Sequence, residues 1–281
     1  MVQSDNNDAH IARIEAWRQD MDAQMRAPDP WGWLAIVGMY PLHPGRNHIG
    51  SIADNDVLLP AGAPPQLGFI DFQEGRGTLQ VTTDAIVSVD HHPMRQAVLR
   101  NHYEAGGMSV VRVGAVSFGI MQWAEDPYNV RVWDANSPKR LNFPGREWYP
   151  IDLDARVVGN FTSSSSGQSM TVAHTGGGTQ ALQHIGTVAF TLYGQAFRFE
   201  AAASEKGADY VWVLARDGTS GKTTYGAGRF LHALRLSDNE VDLDFNLFYH
   251  PPCAFCDFTT CPMPPRSNSF PFPLETGERF P

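Results

Sequence analysis

From Trp33 onward the apolar residues of this chain come in short, β-branched runs cut by Gly, Pro, Asn and Asp. Runs at 33–37, 78–82, 85–89, 110–113, 116–120 and 129–133 are each only a few residues long. So are later runs at 156–158, 186–193, 195–201, 210–214 and 241–245, and in the last Val241, Leu243 and Phe245 alternate with Asp242, Asp244 and Asn246. A period of two with breaks at this spacing suits a sandwich or barrel and excludes a helix bundle. The 26 glycines and 20 prolines supply the turns, and 11% aromatic residues supply bulk for the core.

Residues 8–26 break that rule. Ile11, Ile14, Trp17, Met21 and Met25 recur at spacings of three and four, which predicts one helix with an apolar stripe laid on a β core. Ala27-Pro28-Asp29-Pro30 ends it. The alternation fails near 138–150, where Pro, Gly and Asn scatter, and a module boundary falls there. Loops follow at 163–167 and 176–178, and residues 251–281 form a proline-rich tail that side chains must tie to the body. The expected organisation is an N-terminal helix (1–27), a β-sandwich (28–140) and a second β module (141–281).

The net charge of −9 is even, with 12 basic and 17 acidic residues over 1–150 and 9 and 13 over 151–281. No basic face that tracks phosphate backbones follows from that balance, so nucleic acid is not an expected partner. No run approaches the ~18 apolar residues that span a bilayer. The first ten residues lack the basic and apolar regions of a signal peptide, and the expected location is the cytoplasm.

Three features bear on chemistry. Gly218-Thr-Ser-Gly221-Lys222-Thr223 has two residues between its glycines where a phosphate-cradling loop needs four, and no helical pattern follows, so a β-turn at Asp217-Gly218 is the expectation. His250, Cys253, Cys256 and Cys261 form H-x2-C-x2-C-x4-C, donors of the kind that hold zinc, iron or copper. The same cysteines could instead be buried, bridged or reactive thiols. Tyr225, Arg229, Asp244 and Asn246 could line a small-molecule pocket, with Arg229 gripping an anion, or form a satisfied network that locks the tail.

Tyr128–Pro138, Phe143-Pro-Gly145, Asp217–Gly221, Thr224–Leu231, Asp244-Phe-Asn246, Pro251–Phe255, Thr260–Pro265 and Gly277-Glu278 occur in an order that resembles domain-of-unknown-function family 1684. The resemblance implies a β-rich protein whose first half is similar to a forkhead-associated sandwich, here over 38–59. It brings no established reaction. At the position of the arginine that holds phosphothreonine in forkhead-associated domains this chain has Ser51, and the later S-x-x-H is absent around 65–68. Cys253 and Cys261 match the family pattern, whereas His250 and Cys256 replace its asparagine and its serine or threonine. The expectation is a small-molecule-binding protein or enzyme with its site in the C-terminal module, metal-dependent if the His/Cys set holds an ion. The other reading is an interaction module whose sandwich takes a protein partner.

Overall fold

The computed structural model describes residues 2–28, 32–122, 128–165 and 167–280, without the side chains of residues 2–6. The fold is mostly β, 44% strand and 13% helix. It divides into two compact units, Ala23–Pro144 and Met1–Asp22 with Gly145–Pro281. Among the described residues no helix is long and apolar enough to cross a membrane.

The first unit holds β1 (Ile36–Pro41), β2 (Gly45–Gly50), β3 (Val57–Leu58), β4 (Gly68–Gln73), β5 (Arg76–Val81), β6 (Ser88–Val89), β7 (His92–Pro93), β8 (Gln96–Leu99), β9 (Val111–Val113), β10 (Val116–Gln122) and β11 (Tyr128–Asp134). They form two sheets, β1-β11-β10-β9-β6-β7 and β3-β2-β4-β5-β8. Alternation sends Ile49, Ile70, Leu79 and Leu99 from one sheet, and Val111, Phe118, Val130 and Val132 from the other, into one core. Two expectations change here. Trp33–Ala35 is a 3-10 turn, closed by the Ala35 amide on the Gly32 oxygen and the Ile36 amide on the Trp33 oxygen, and the strand begins only at Ile36. Of the run 85–89 only Ser88–Val89 pairs, and Ile86 is 87% exposed.

The second unit carries α1 (Val2–Met25) through Asp22, then β12 (Glu147–Trp148), β13 (Arg156–Ser163), β14 (Ser169–Ala173), β15 (Thr179–Leu192), β16 (Gln195–Ala203), β17 (Tyr210–Ala215), β18 (Arg229–Arg235), β19 (Glu240–Asp244) and β20 (Glu278–Arg279). The sheet order is β13-β19-β18-β17-β16-β15-β14, and β13 also pairs with β15. That extra pairing closes an antiparallel barrel and leaves β14 outside it. Long β15 serves both neighbours, pairing with β14 over Thr179–Gln183 and with β13 over Gly186–Ala189. It bends at a bulge between His184 and Gly186. Only glycine fits there, with φ at +152° and the Thr162 carbonyl oxygen 2.2 Å from where a Cβ would stand.

The barrel interior is filled, not hollow. Phe161, Val188, Phe190, Phe199, Val213, Leu231, Val241 and Leu243 meet inside, and Phe245, Phe248, Phe270 and Leu274 join them. Phe190, Phe197, Phe199 and Phe270 stack edge to face or offset at 4.9–6.2 Å. The cleft of this unit lies on the outer wall instead.

Candidate functional site

The four polar residues singled out in the sequence do not converge. Arg229 opens β18 and is 0% exposed. Its guanidinium donates to Asp217 Oδ2 at 2.8 Å, to the Leu274 oxygen at 2.8 Å, to the Glu278 oxygen at 3.1 Å and to the Thr276 oxygen. Burial pulls its pKa down while the Asp217 carboxylate opposes that. Asp217 Oδ1 accepts from the Thr219 amide and hydroxyl, and Gly218 donates to the Phe272 oxygen at 2.9 Å. The Gly218 turn is thus a clasp for the tail, and a Cβ there would lie 2.7 Å from the Pro273 nitrogen. Asn246 is spent as well, since Oδ1 accepts from the Asp152 amide and Nδ2 donates to the Asp152 oxygen and to Asp244 Oδ1.

Tyr225 belongs with the His/Cys stretch. Its amide donates to His250 Nε2 at 3.2 Å, and its hydroxyl donates to the Cys253 oxygen at 3.3 Å. The other ring nitrogen of His250, Nδ1, faces Glu278 Oε1 at 3.6 Å. Burial holds His250 below its usual range, with Glu278 opposing. An imidazole whose acceptor nitrogen takes a backbone N–H has no lone pair for a metal. Accordingly, no group of three His, Cys, Asp or Glu side chains among the described residues could hold a metal ion, and His250, Cys253, Cys256 and Cys261 are not brought together as a ligand set. All three cysteines are free thiols, with Cys256 and Cys261 buried and Cys253 half-buried.

Asp244 is the member that reaches a cavity. A cleft of about 210 Å³ on the outer barrel wall is lined by Arg13 and Trp17 of α1, by Lys206 and Tyr210, by Leu231, His232 and Leu234 of β18, and by Asp242, Asp244 and Leu247. The helix is docked on this wall by Trp17 edge-on to Trp148 at 5.3 Å and by Arg18, which lies over the Trp148 ring and donates to the Tyr149 oxygen. Its buried face presents Ile14 and His10. Arg13 can only donate, so its 2.8 Å contact makes His10 Nδ1 the acceptor and places the ring proton on Nε2. Burial keeps His10 neutral, below its usual pKa, although Asp244 acts to raise it. His10 Nε2 lies 3.2 Å from Asp244 Oδ2, but off axis, so neither buried atom has an aligned hydrogen bond.

The charges in the cleft are unequally matched. Arg156 holds Asp242 with two bonds of 2.8 and 2.7 Å. Arg13 sits at a neutral imidazole, and Lys206 lies over the Tyr210 ring at 5.9 Å. His232 forms the floor between Ser204 Oγ and the Tyr249 hydroxyl, each at 2.8 Å. Burial, with Lys206 adding to it, lowers its pKa to about 4. The helix residues His10, Arg13 and Trp17 carried no functional signal in the sequence, where the stripe read as packing. His232 stands out only once β18 is known, as the polar residue between Phe230 and Leu234 on its outer face.

In the sandwich, the Ser51 hydroxyl donates to the Ala63 oxygen, and Asn55 Nδ2 donates to the oxygens of Ile52 and Pro65. These half-buried loop groups are bonded to backbone oxygens, while Ile52 and Leu58 are 40% and 39% exposed.

A filled barrel locked by a buried arginine, with a helix-covered cleft on its wall, defines a β-rich protein with a candidate binding site and no assembled metal centre among the described residues. Residues 141–279 match the family described as "Protein of unknown function (DUF1684)", and the chain belongs to that family. Among solved structures it is similar to the solution NMR structure of an uncharacterized protein from Haloarcula marismortui, at 33% identity over 50% of this chain and 78% of that one, with a TM-score of 0.41. A forkhead-associated domain structure, Rv0020c_FHA, is matched at 17% identity over 34% of this chain and 94% of that one, with a TM-score of 0.23. No curated protein matches.

Proposed function

We propose that the C-terminal unit binds a compact, amino-acid-like metabolite in the cleft beneath α1. The observation that carries this reading is Asp244 Oδ2, a buried carboxylate oxygen with no aligned donor, on the wall of an accessible cleft. A buried acceptor left in that state costs free energy until a donor arrives. A ligand amine or hydroxyl would supply that donor. Arg13 stands across the same imidazole ring from Asp244, and with Lys206 it offers cationic groups to a ligand carboxylate. Trp17, Tyr210, Leu234 and Leu247 accept an apolar body.

Saturation-transfer NMR of the full chain with a panel of α-amino and α-hydroxy acids tests this, each compound paired with its decarboxylated amine or alcohol. The acids should give signals that their decarboxylated partners do not, and Arg13→Gln and Trp17→Ala should each weaken binding about tenfold or more. Equal signals from acids and decarboxylated partners, or binding indifferent to both substitutions, would refute the proposal.

A second reading, that the sandwich takes a protein partner without using phosphate, is favoured by the outward Ile52 and Leu58 beside Ser51 and Asn55, whose side chains are bonded to loop backbone oxygens. Capture of a defined partner that survives phosphatase treatment but is lost in Ile52→Asp with Leu58→Asp would support it. Capture that requires phosphate would count against it.

A further inference from the structure

The cleft does not use the cysteines, although Cys253 and Cys261 meet in a cluster with Tyr249, which hydrogen-bonds to His232 of the cleft. Cys253 sits in the 3-10 turn Pro252–Ala254, and its amide donates to Cys261 Sγ at 3.4 Å. Cys261 is held from the other side, its amide donating to Thr175 Oγ1 at 3.0 Å and its carbonyl accepting from the Thr175 amide at 3.0 Å. Cys256 follows a different course, with its amide on the Pro252 oxygen and its carbonyl accepting from the Thr259 hydroxyl at 2.9 Å. Cys253 is the half-buried residue of the contacting pair, while Cys261 is 5% exposed.

We propose that Cys253 and Cys261 form a dithiol that a peroxide oxidises reversibly to a disulfide, with Cys253 attacking and Cys261 resolving. The Cys253 thiol is pulled down to about 6, first by the Cys261 thiol and then by the nearby Tyr225 and Thr175 side chains, against the cost of burial. The Cys261 thiol is pushed up, because it gives its hydrogen to that sulfur and is itself buried. The thiolate is the nucleophile, so the roles follow from which sulfur ionises first.

The Cys253 thiolate attacks one peroxide oxygen. An S–O bond forms, the O–O bond breaks, and the departing hydroxide takes a proton to become water. Cys261 then loses its proton and attacks the Cys253 sulfenic sulfur. The S–S bond forms as the S–O bond breaks, and the second oxygen leaves as water. Two thiols are oxidised by two electrons, one peroxide is reduced, and an external dithiol reverses the step.

Reduced full-length protein treated with a small excess of hydrogen peroxide tests this by thiol count and peptide mapping. Free thiols should fall from three to one, the intact mass should drop by two hydrogens, and the map should link Cys253 to Cys261 until dithiothreitol restores all three. Cys261→Ser should stop at a sulfenic acid on Cys253 that dimedone captures. Cys256→Ser should close the disulfide like the wild type. A thiol count that stays at three, a bridge that includes Cys256, or dimedone capture at a residue other than Cys253 would overturn the proposal. The wild-type map decides the pairing even if a variant fails to fold.

Discussion

Arg229 was legible in the sequence as a cation in a polar, loop-rich stretch, and that composition suits a ligand clamp as well as a structural clasp. The structure decides for the clasp, since both terminal guanidinium nitrogens go to Asp217 and to three carbonyls of the tail, and Arg229 is fully buried. Removing one partner of a buried pair leaves the other charge uncompensated, so Arg229→Met should lower the urea-unfolding free energy by about 3–5 kcal/mol. Arg229→Lys should recover only a small part, because one ammonium cannot reach acceptors spread over the guanidinium fork. His232 makes a prediction in pH. Its pKa is about 4 when folded and about 6.5 when unfolded. The unfolded chain therefore takes up a proton first, and the stability present above pH 6.5 is lost as pH falls from 6.5 towards 4. The loss attributable to this residue is about 3 kcal/mol. Thermal unfolding across that range should flatten in His232→Gln, which keeps a polar contact for Tyr249 but does not titrate.

At the scale of elements, the α1 stripe and the alternating strands of the barrel were readable because one face of each is buried and the other is not. β18 was missed for the opposite reason. Leu231 and Ala233 face the barrel core, while Phe230 on the other face is covered by the tail around Cys261, so apolar residues run together and the period disappears. Asp244 could be picked out as a carboxylate on an alternating strand. Its partner His10 could not, because only folding sets the first helix against the last barrel strand. Ile14, fully buried under α1, holds that arrangement. Ile14→Ala should cost about 2–5 kcal/mol by calorimetry and reduce binding in the cleft, while Gln19→Ala on the exposed face should change stability by no more than about 0.5 kcal/mol.

At the scale of the molecule, composition and periodicity were enough for the β class, since it rests on where apolar residues recur. The grouping of the first 22 residues with Gly145–Pro281 was not readable, because it is a contact between chain ends. The second unit has its main core inside the barrel, with the α1 cleft and the Cys253–Cys261 contact outside that core. The central claim is that the cleft takes an amino-acid-like ligand. Methyl and indole NMR during titration with the strongest compound of the panel tests it most directly. The expected result is saturable shifts in Leu234, Leu247 and the Trp17 indole, abolished in Asp244→Asn, with the sandwich methyls of Ile70, Leu79 and Val132 unmoved. Shifts centred on other residues, or no saturable shift with any compound, would contradict the claim.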